Sequence, residues 1–243
     1  MKVASESIIG HGSAYGRRWL LLLLLTVATV CSAATSPVGR PLKFYETSAL
    51  RVVRFGMPGE SCVPIQVVVC MPLSSGGSGS FPSVEIAAVV VSPSAGRSML
   101  CANPTAQAIY AFANRSTGGD DISTFKVDYR YELQSTVLTD PSLINPRTGM
   151  PFDGKIALSP ASMFTDQSYL GPQQRIVRSQ RIGSLECAIP LITHSMLVSN
   201  YGLSSTDAQR VMGQSMTVRL FISADLIVTD GGSYTVQLRM MGD

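Results

Sequence analysis

The stretch Phe125-Lys-Val-Asp-Tyr-Arg-Tyr-Glu-Leu133 decides the fold class. Phe125, Val127, Tyr129, Tyr131 and Leu133 fall on one side of an extended chain. Lys126, Asp128, Arg130 and Glu132 fall on the other. Side chains alternate with period two along a strand, so this is a strand with one buried and one wetted face. The wetted face alternates in sign, which suits a solvated surface better than a ligand site.

Working outward, the same pattern recurs toward the C-terminus. In Met216 to Val228, Val218, Leu220 and Ile222 alternate with Thr217, Arg219, Phe221 and Ser223. A turn signal, Asp230-Gly231-Gly232, follows, and then Tyr234, Val236, Leu238 and Met240 alternate with Thr235, Gln237 and Arg239. Two alternating runs about such a turn predict a terminal β-hairpin. Val63 to Val69 and Ile86 to Val91 are continuous β-branched runs, read as strands buried on both faces or in a sandwich core. The flexible Ser74–Ser80 loop between them reads as the connection of a hairpin. Leu50 to Phe55, Ile176 to Ile182 and Cys187 to Met196 are weaker strand signals.

Helix is scarce. Ser204 to Met212, with hydroxyl caps, an early Asp and a closing Gly213, predicts two turns. Asn103-Pro104 through Ala113 fits a capped helix or a strand. Pro141, Pro146, Pro151, Pro160 and Pro172 recur across 139–174, which reads as a loop region covering part of the fold. The expected architecture is mainly β: an antiparallel immunoglobulin-like sandwich with one or two short helices, stabilised by disulfides.

Charged residues make up 14% of the chain and apolar ones 45%, against about 25% charged in an ordinary soluble domain. That balance excludes intrinsic disorder and a coiled coil. Some of the apolar content belongs to a leader. Trp19 to Val30 is an apolar run behind Arg17 and Arg18, followed by the small residues Ser32, Ala33 and Ala34. A positive start, a short apolar core and a small-residue cleavage site make a secretory signal peptide, so 1–34 is expected to be removed. The run is too short for a transmembrane span, and no later segment reaches spanning length. Residues 35–243 then form one domain that is almost neutral, which makes nucleic acid an improbable partner. Export to a periplasm, a cell surface or the medium follows.

Cleavage leaves Cys62, Cys70, Cys101 and Cys187. Four cysteines in an exported chain point to two disulfides, with three connectivities open. If Val63 to Val69 is extended, Cys62 and Cys70 stand too far apart to bond each other, and Cys101 and Cys187 become their partners. A turn at Pro64 would instead bring them together. Zinc is disfavoured because no C-x-x-C pair exists and His194 is the only histidine left after cleavage.

Neither a catalytic nor a cofactor motif is present. His194 lies in a strand-like stretch with no nucleophile elbow anywhere. Asp120-Asp121 falls short of a calcium ligand set. The scattered carboxylates Glu60, Glu85, Asp128, Glu132, Asp153 and Asp166 give no defined glycosidase pair. Arg175, Arg178 and Arg181 read as a solvated strand face. Asn114-Arg-Ser116 is an N-glycosylation sequon, relevant only in a eukaryotic host. Losing Trp19 removes any tryptophan platform for sugar stacking, a role that Tyr can take.

The layout of a signal peptide followed by short strands, ending in Gly231-Gly232-Ser233-Tyr234-Thr-Val-Gln-Leu-Arg-Met240, resembles that of bacterial fimbrial subunits of the chaperone-usher type. Met241-Gly242-Asp243 departs from the apolar finish of that family, and four cysteines exceed the number usual there. The resemblance implies a non-catalytic structural or adhesive subunit that assembles by strand complementation with other subunits, aided by a periplasmic chaperone. It implies a donor segment from Thr35 to Phe55, with Leu42, Phe44, Leu50 and Val52 as the inserting side chains. Two other classes stay open. One is a periplasmic or secreted ligand-binding module with a site built from 139–174 and nearby Tyr. The other is a secreted hydrolase using acidic residues.

Overall fold

The computed structural model describes residues 43–57, 68–182 and 191–243. The leader, Leu42, Cys62, Cys187 and the 63–67 part of the apolar run before Val68 lie outside the described residues. Thirteen strands and two helices are described: β1 (Lys43–Thr47), β2 (Arg51–Phe55), β3 (Val68–Met71), β4 (Gly79–Val91), β5 (Met99–Ala113), β6 (Asp121–Ser135), β7 (Ile144–Asn145), β8 (Met150–Pro151), β9 (Lys155–Leu170), β10 (Arg175–Ile182), β11 (Leu191–Thr193), α1 (His194–Tyr201), α2 (Ser205–Gly213), β12 (Met216–Ile227) and β13 (Thr229–Gly242). A 3-10 turn spans Thr136–Thr139.

The strands form two main sheets. One runs β10-β5-β13-β2-β3, with β1 beside β13 and β11 beside β5. The other runs β4-β12-β6-β9. All pairings are antiparallel except β2 with β3. The sheets face each other across one core, so the protein is mainly β and a two-layer sandwich. Phe125 of β6 stacks on Tyr110 of β5 at 4.1 Å and meets Phe55 of β2 edge-on at 5.5 Å. In β6 the predicted alternation holds: Phe125, Val127, Tyr129, Tyr131 and Leu133 are all buried, with the charged residues outward.

Three expectations about connections are corrected. The strands β12 and β13 form as read, but they do not pair. The chain passes from one sheet to the other at Val228 (φ 52), and Asp230-Gly231-Gly232 lies within β13, where the register against β5 shifts. Gly231, Gly232, Tyr234, Val236 and Leu238 therefore lie on β13, which pairs with β5 and β2, and not in a terminal hairpin. Both strands carry a fully apolar inner face, and two such faces bury each other best across the sandwich. Likewise β3 and β4 lie in different sheets, so the Ser74–Ser80 loop is also an arch. The two arches interlock: Gly77 (φ 76) accepts hydrogen bonds at its carbonyl from the N–H and the hydroxyl of Thr229, both at 2.9 Å. A Cβ at Gly77 would lie 2.3 Å from the Thr229 carbonyl oxygen, so only glycine fits.

The region 139–174 is not one loop. A small β7–β8 hairpin is followed by the long edge strand β9. Pro160 is tolerated there because an edge strand has one unpaired side, and the register shifts where it sits. Asn103 to Ala113 resolves as strand, within β5. In the stretch Cys187 to Met196, the described residues from Leu191 on form the short β11 before α1 begins, its start capped by Thr193 accepting from the Met196 N–H at 3.0 Å. The helix expected at Ser204–Met212 is α2, with Ser204 as its cap.

Candidate functional site

The feature that stands out is an open sheet edge. Opposite β4 lie β13, β1 and β2 of the other sheet. That sheet continues one strand further, to β3, whereas β4 ends its own sheet among the described residues. A groove of about 310 Å³ lies at this step, lined by Ser48, Ala49, Arg51, Val69 and Glu85 to Ala88. Its wall is the edge of β4 that has no partner strand among the described residues.

That edge carries little of what normally guards one. Charges, prolines and bulges discourage strand addition. The first half of β4 has Pro82, Glu85 and register shifts. The second half, Ala87-Ala-Val-Val-Val91, has none of them. Ala87, Val89 and Val91 point into the core, while Val90 is 58% exposed. Of the two readings of this run, buried on both faces or in a sandwich core, the second holds: one face packs in the core and the other is exposed. By contrast β10 carries Arg175, Arg178 and Arg181, and β9 carries Pro160.

The described part of the segment expected to donate, from Lys43 on, lies along β13 of its own chain. Lys43 to Thr47 pairs with Arg239 to Gly242, and Arg51 to Phe55 continues along Val236 to Gly232. Phe44 sits on β1. Leu50 is 54% exposed and Val52 half-buried, whereas Val53 and Phe55 are buried. The inward set is therefore Val53 and Phe55. Burying Leu50 and Val52 would have turned Arg54 into the core, a signal that the sequence already held.

Cys70 lies on β3 and Cys101 on β5, with β2 and β13 between them. Three strand spacings amount to about 14 Å, well beyond disulfide reach, so these two do not bond each other. Register separates them further, since Cys70 is level with Arg54 and Ser233 while Cys101 is level with Met241.

The remaining candidates take structural roles. His194 opens α1, where its Nε2 lies 3.0 Å from the Ser205 carbonyl and 3.2 Å from the Ser205 hydroxyl. A ring nitrogen that donates to a carbonyl is not free to take a hydroxyl proton, so the pair does not make a base and nucleophile. Asn114 of the sequon is buried, with its amide donating to Gly119 at 2.8 Å and Leu170 at 3.1 Å. Its nitrogen ties two loops together and is not presented for a glycan. Arg115 and Arg175 both pair with Asp230, the latter at 2.9 Å, joining the β5–β6, β9–β10 and β12–β13 connections at one end of the sandwich. Burial alone would raise the Asp230 pKa, but hydrogen bonds from Arg175 and Arg115 outweigh it and hold the carboxyl below its ordinary value. Asp166 accepts from the Tyr110 hydroxyl at 2.6 Å and lies 3.8 Å from Arg178. Arg181 lines a pocket with Leu50, Gln107, Thr235 and Gln237. Asp121 accepts from the adjacent Ile122 N–H at 2.8 Å. No group of three metal-ligating side chains occurs among the described residues, nor any helix long and apolar enough to cross a membrane.

Asp243 has a role that the sequence did not disclose. Its carboxylate accepts from the N–H groups of Ser98 and Met99, each at 2.9 Å, and from the Ser98 hydroxyl. The polar residue after β13 thereby fastens that strand to the start of β5.

No protein-family model matches the chain, and a search of curated proteins finds no match. Among solved structures, the chain is weakly similar to VP1 of trichodysplasia spinulosa-associated polyomavirus, with 10% identity over 88% of this chain and 98% of that one and a TM-score of 0.18. At that score the likeness carries no argument.

Proposed function

We propose that the protein is an exported, non-catalytic structural or adhesive subunit of a bacterial cell-surface appendage, assembling through β-strand complementation. The observation that supports this is the step in the sandwich. Among the described residues the sheet facing β4 continues past it to β3, while β4 is the last strand of its own sheet and ends in an uncharged, proline-free run. An extended segment entering there gains main-chain hydrogen bonds along β4, and its alternate side chains meet the groove beneath β3. The donor in this reading is the segment 35–55 of a neighbouring copy, released from β13 of its own chain. A periplasmic chaperone would occupy the same edge before assembly.

An immunoglobulin-like strand plan, removal of 1–34 and disulfide stabilisation belong to the same proposal. In support of the last, Cys70 and Cys101 are both half-cystines. An oxidising compartment outside the cytosol is consistent with that state.

The test is to purify the exported protein with and without residues 35–48 and to follow both by sedimentation velocity. Strand donation predicts concentration-dependent oligomers for the full protein and their loss in the truncated one. Monomers of unchanged stability in both cases would refute it.

A further inference from the structure

Arg175, Arg178 and Arg181 recur along β10, but their surroundings differ. Arg175 pairs with Asp230, and Arg178 lies beside Asp166. Arg181 makes no hydrogen bond or ion pair among the described residues. It is exposed on the outer face of the seven-stranded sheet. Its cross-strand neighbour there is Gln107 of β5, and the neighbour of Gln107 on the other side is Thr235 of β13. Side chains paired in this way stand about 5 Å apart on one face. Thr105 and Gln237 face each other in the next row, about 7 Å along the strands. These five side chains, with Leu50 at the rim, border a single pocket of about 360 Å³. That volume lies at the lower end of the range for small-molecule sites.

Most of the polar groups in this pocket are unused. The side chains of Thr105, Gln107 and Thr235 also make no hydrogen bond among the described residues. Gln237 donates to the Ser48 carbonyl at 3.1 Å, which fixes its amide and leaves its side-chain oxygen to accept. The rows on either side read Ser179, Ile109 and Ser233, then Asn103, Arg239 and Thr47. None of these residues is acidic, so no carboxylate of these rows answers Arg181. A guanidinium recognises a carboxylate through two parallel N–H donors. Amide and hydroxyl groups beside it both donate to and accept from ligand hydroxyls. One cation in the lining matches a carboxylate of single charge and would leave a phosphate dianion half neutralised.

We propose that this pocket binds a sugar acid, a hydroxylated ring bearing one carboxylate. Arg181 takes the carboxylate, and Gln107, Thr105, Thr235 and Gln237 take the ring hydroxyls. The apolar edge of the ring rests against Leu50. The site gives the adhesive part of the proposed function a ligand class. It does not use the edge of β4, so it stands or falls separately from strand donation.

Ligand-observed NMR titration of the exported protein tests it. The probes are glucuronic and galacturonic acids, their neutral counterparts glucose and galactose, and inorganic sulfate. At least one of the acids binds, about 10-fold more tightly than its neutral counterpart and than sulfate. Arg181→Gln weakens that binding about 10-fold and erases the preference over the neutral sugar. Arg181→Lys keeps the charge without the fork and restores part of it. Lys155→Gln, which removes an exposed cation elsewhere, leaves binding unchanged. Binding of neither acid, equal binding of sulfate, or full binding by Arg181→Gln overturns the assignment. So does a change of oligomeric state in Arg181→Gln by sedimentation, which would make the pocket a contact between copies.

Discussion

The hydroxyl of Tyr234 on β13 donates to the hydroxyl of Tyr129 on β6, which joins the two sheets through the middle of the core. Burial raises both: Tyr129 is pushed up to about 12, with the Tyr234 hydrogen bond pulling slightly the other way, and Tyr234 is raised well above its ordinary value. A raised tyrosine pKa contributes stability in full below about pH 10, the unfolded value, and loses it as pH rises above that. Alkaline unfolding should therefore begin above about pH 10. Tyr234→Phe leaves one buried hydroxyl without its partner and should cost about 1–2 kcal/mol in urea unfolding. Adding Tyr129→Phe should cost less than the sum of the two single changes; strict additivity would show that the hydroxyls do not interact.

The register of β2 makes a second prediction. Phe55→Ala removes a buried ring in contact with Phe81 and Phe125 and should cost about 3–5 kcal/mol. Leu50→Ala, at an exposed position, should change stability by less than about 0.5 kcal/mol. Equal effects, or a larger one at Leu50, would mean that the strand presents its other face.

At the arch end, Asp230 is held by two arginines that are themselves half exposed, so solvent screens the pairs. Asp230→Asn should lower stability at neutral pH by about 1 kcal/mol. Because the Asp230 pKa is depressed, its contribution is present above the unfolded value of about 3.9 and is lost as pH falls below it. Wild type and variant should converge in stability as the buffer is taken toward pH 3. A constant gap down to that pH would assign the effect to shape and not to charge.

Disulfide mapping makes a fourth prediction. A non-reducing peptide digest should recover no free thiol at Cys70 or Cys101 and no peptide linking the two. Recovery of a Cys70–Cys101 peptide would contradict the strand order β5-β13-β2-β3.

Strand positions were legible where one face is apolar and the other charged, as in β6, because period two leaves a single arrangement. Strand partnership was not. The Asp230-Gly231-Gly232 stretch that reads as a hairpin turn is a shift of register inside β13, and the change of sheet at Val228 depends on β5 coming to lie beside β13 from over a hundred residues away. The prolines of 139–174 hid β9, since proline argues against a central strand but not against an edge. The groove beside β4 follows from a difference in strand number between two sheets, which no local pattern carries. Ala87 to Val91 did hold part of the signal: an apolar run with no polar alternation marks a strand with two dry faces, or one whose outer side and edge await cover.

The account rests on the edge of β4 receiving a strand. The direct measurement is sedimentation velocity of the exported protein over a rising concentration series, beside the variant Ala88→Lys with Val90→Lys. Both positions are exposed, so the variant should fold, and two lysines on an edge oppose strand addition. The account predicts oligomers for the wild type and a monomer for the variant at every concentration. Oligomers of equal size and affinity in both, or a wild type that stays monomeric throughout, would contradict it.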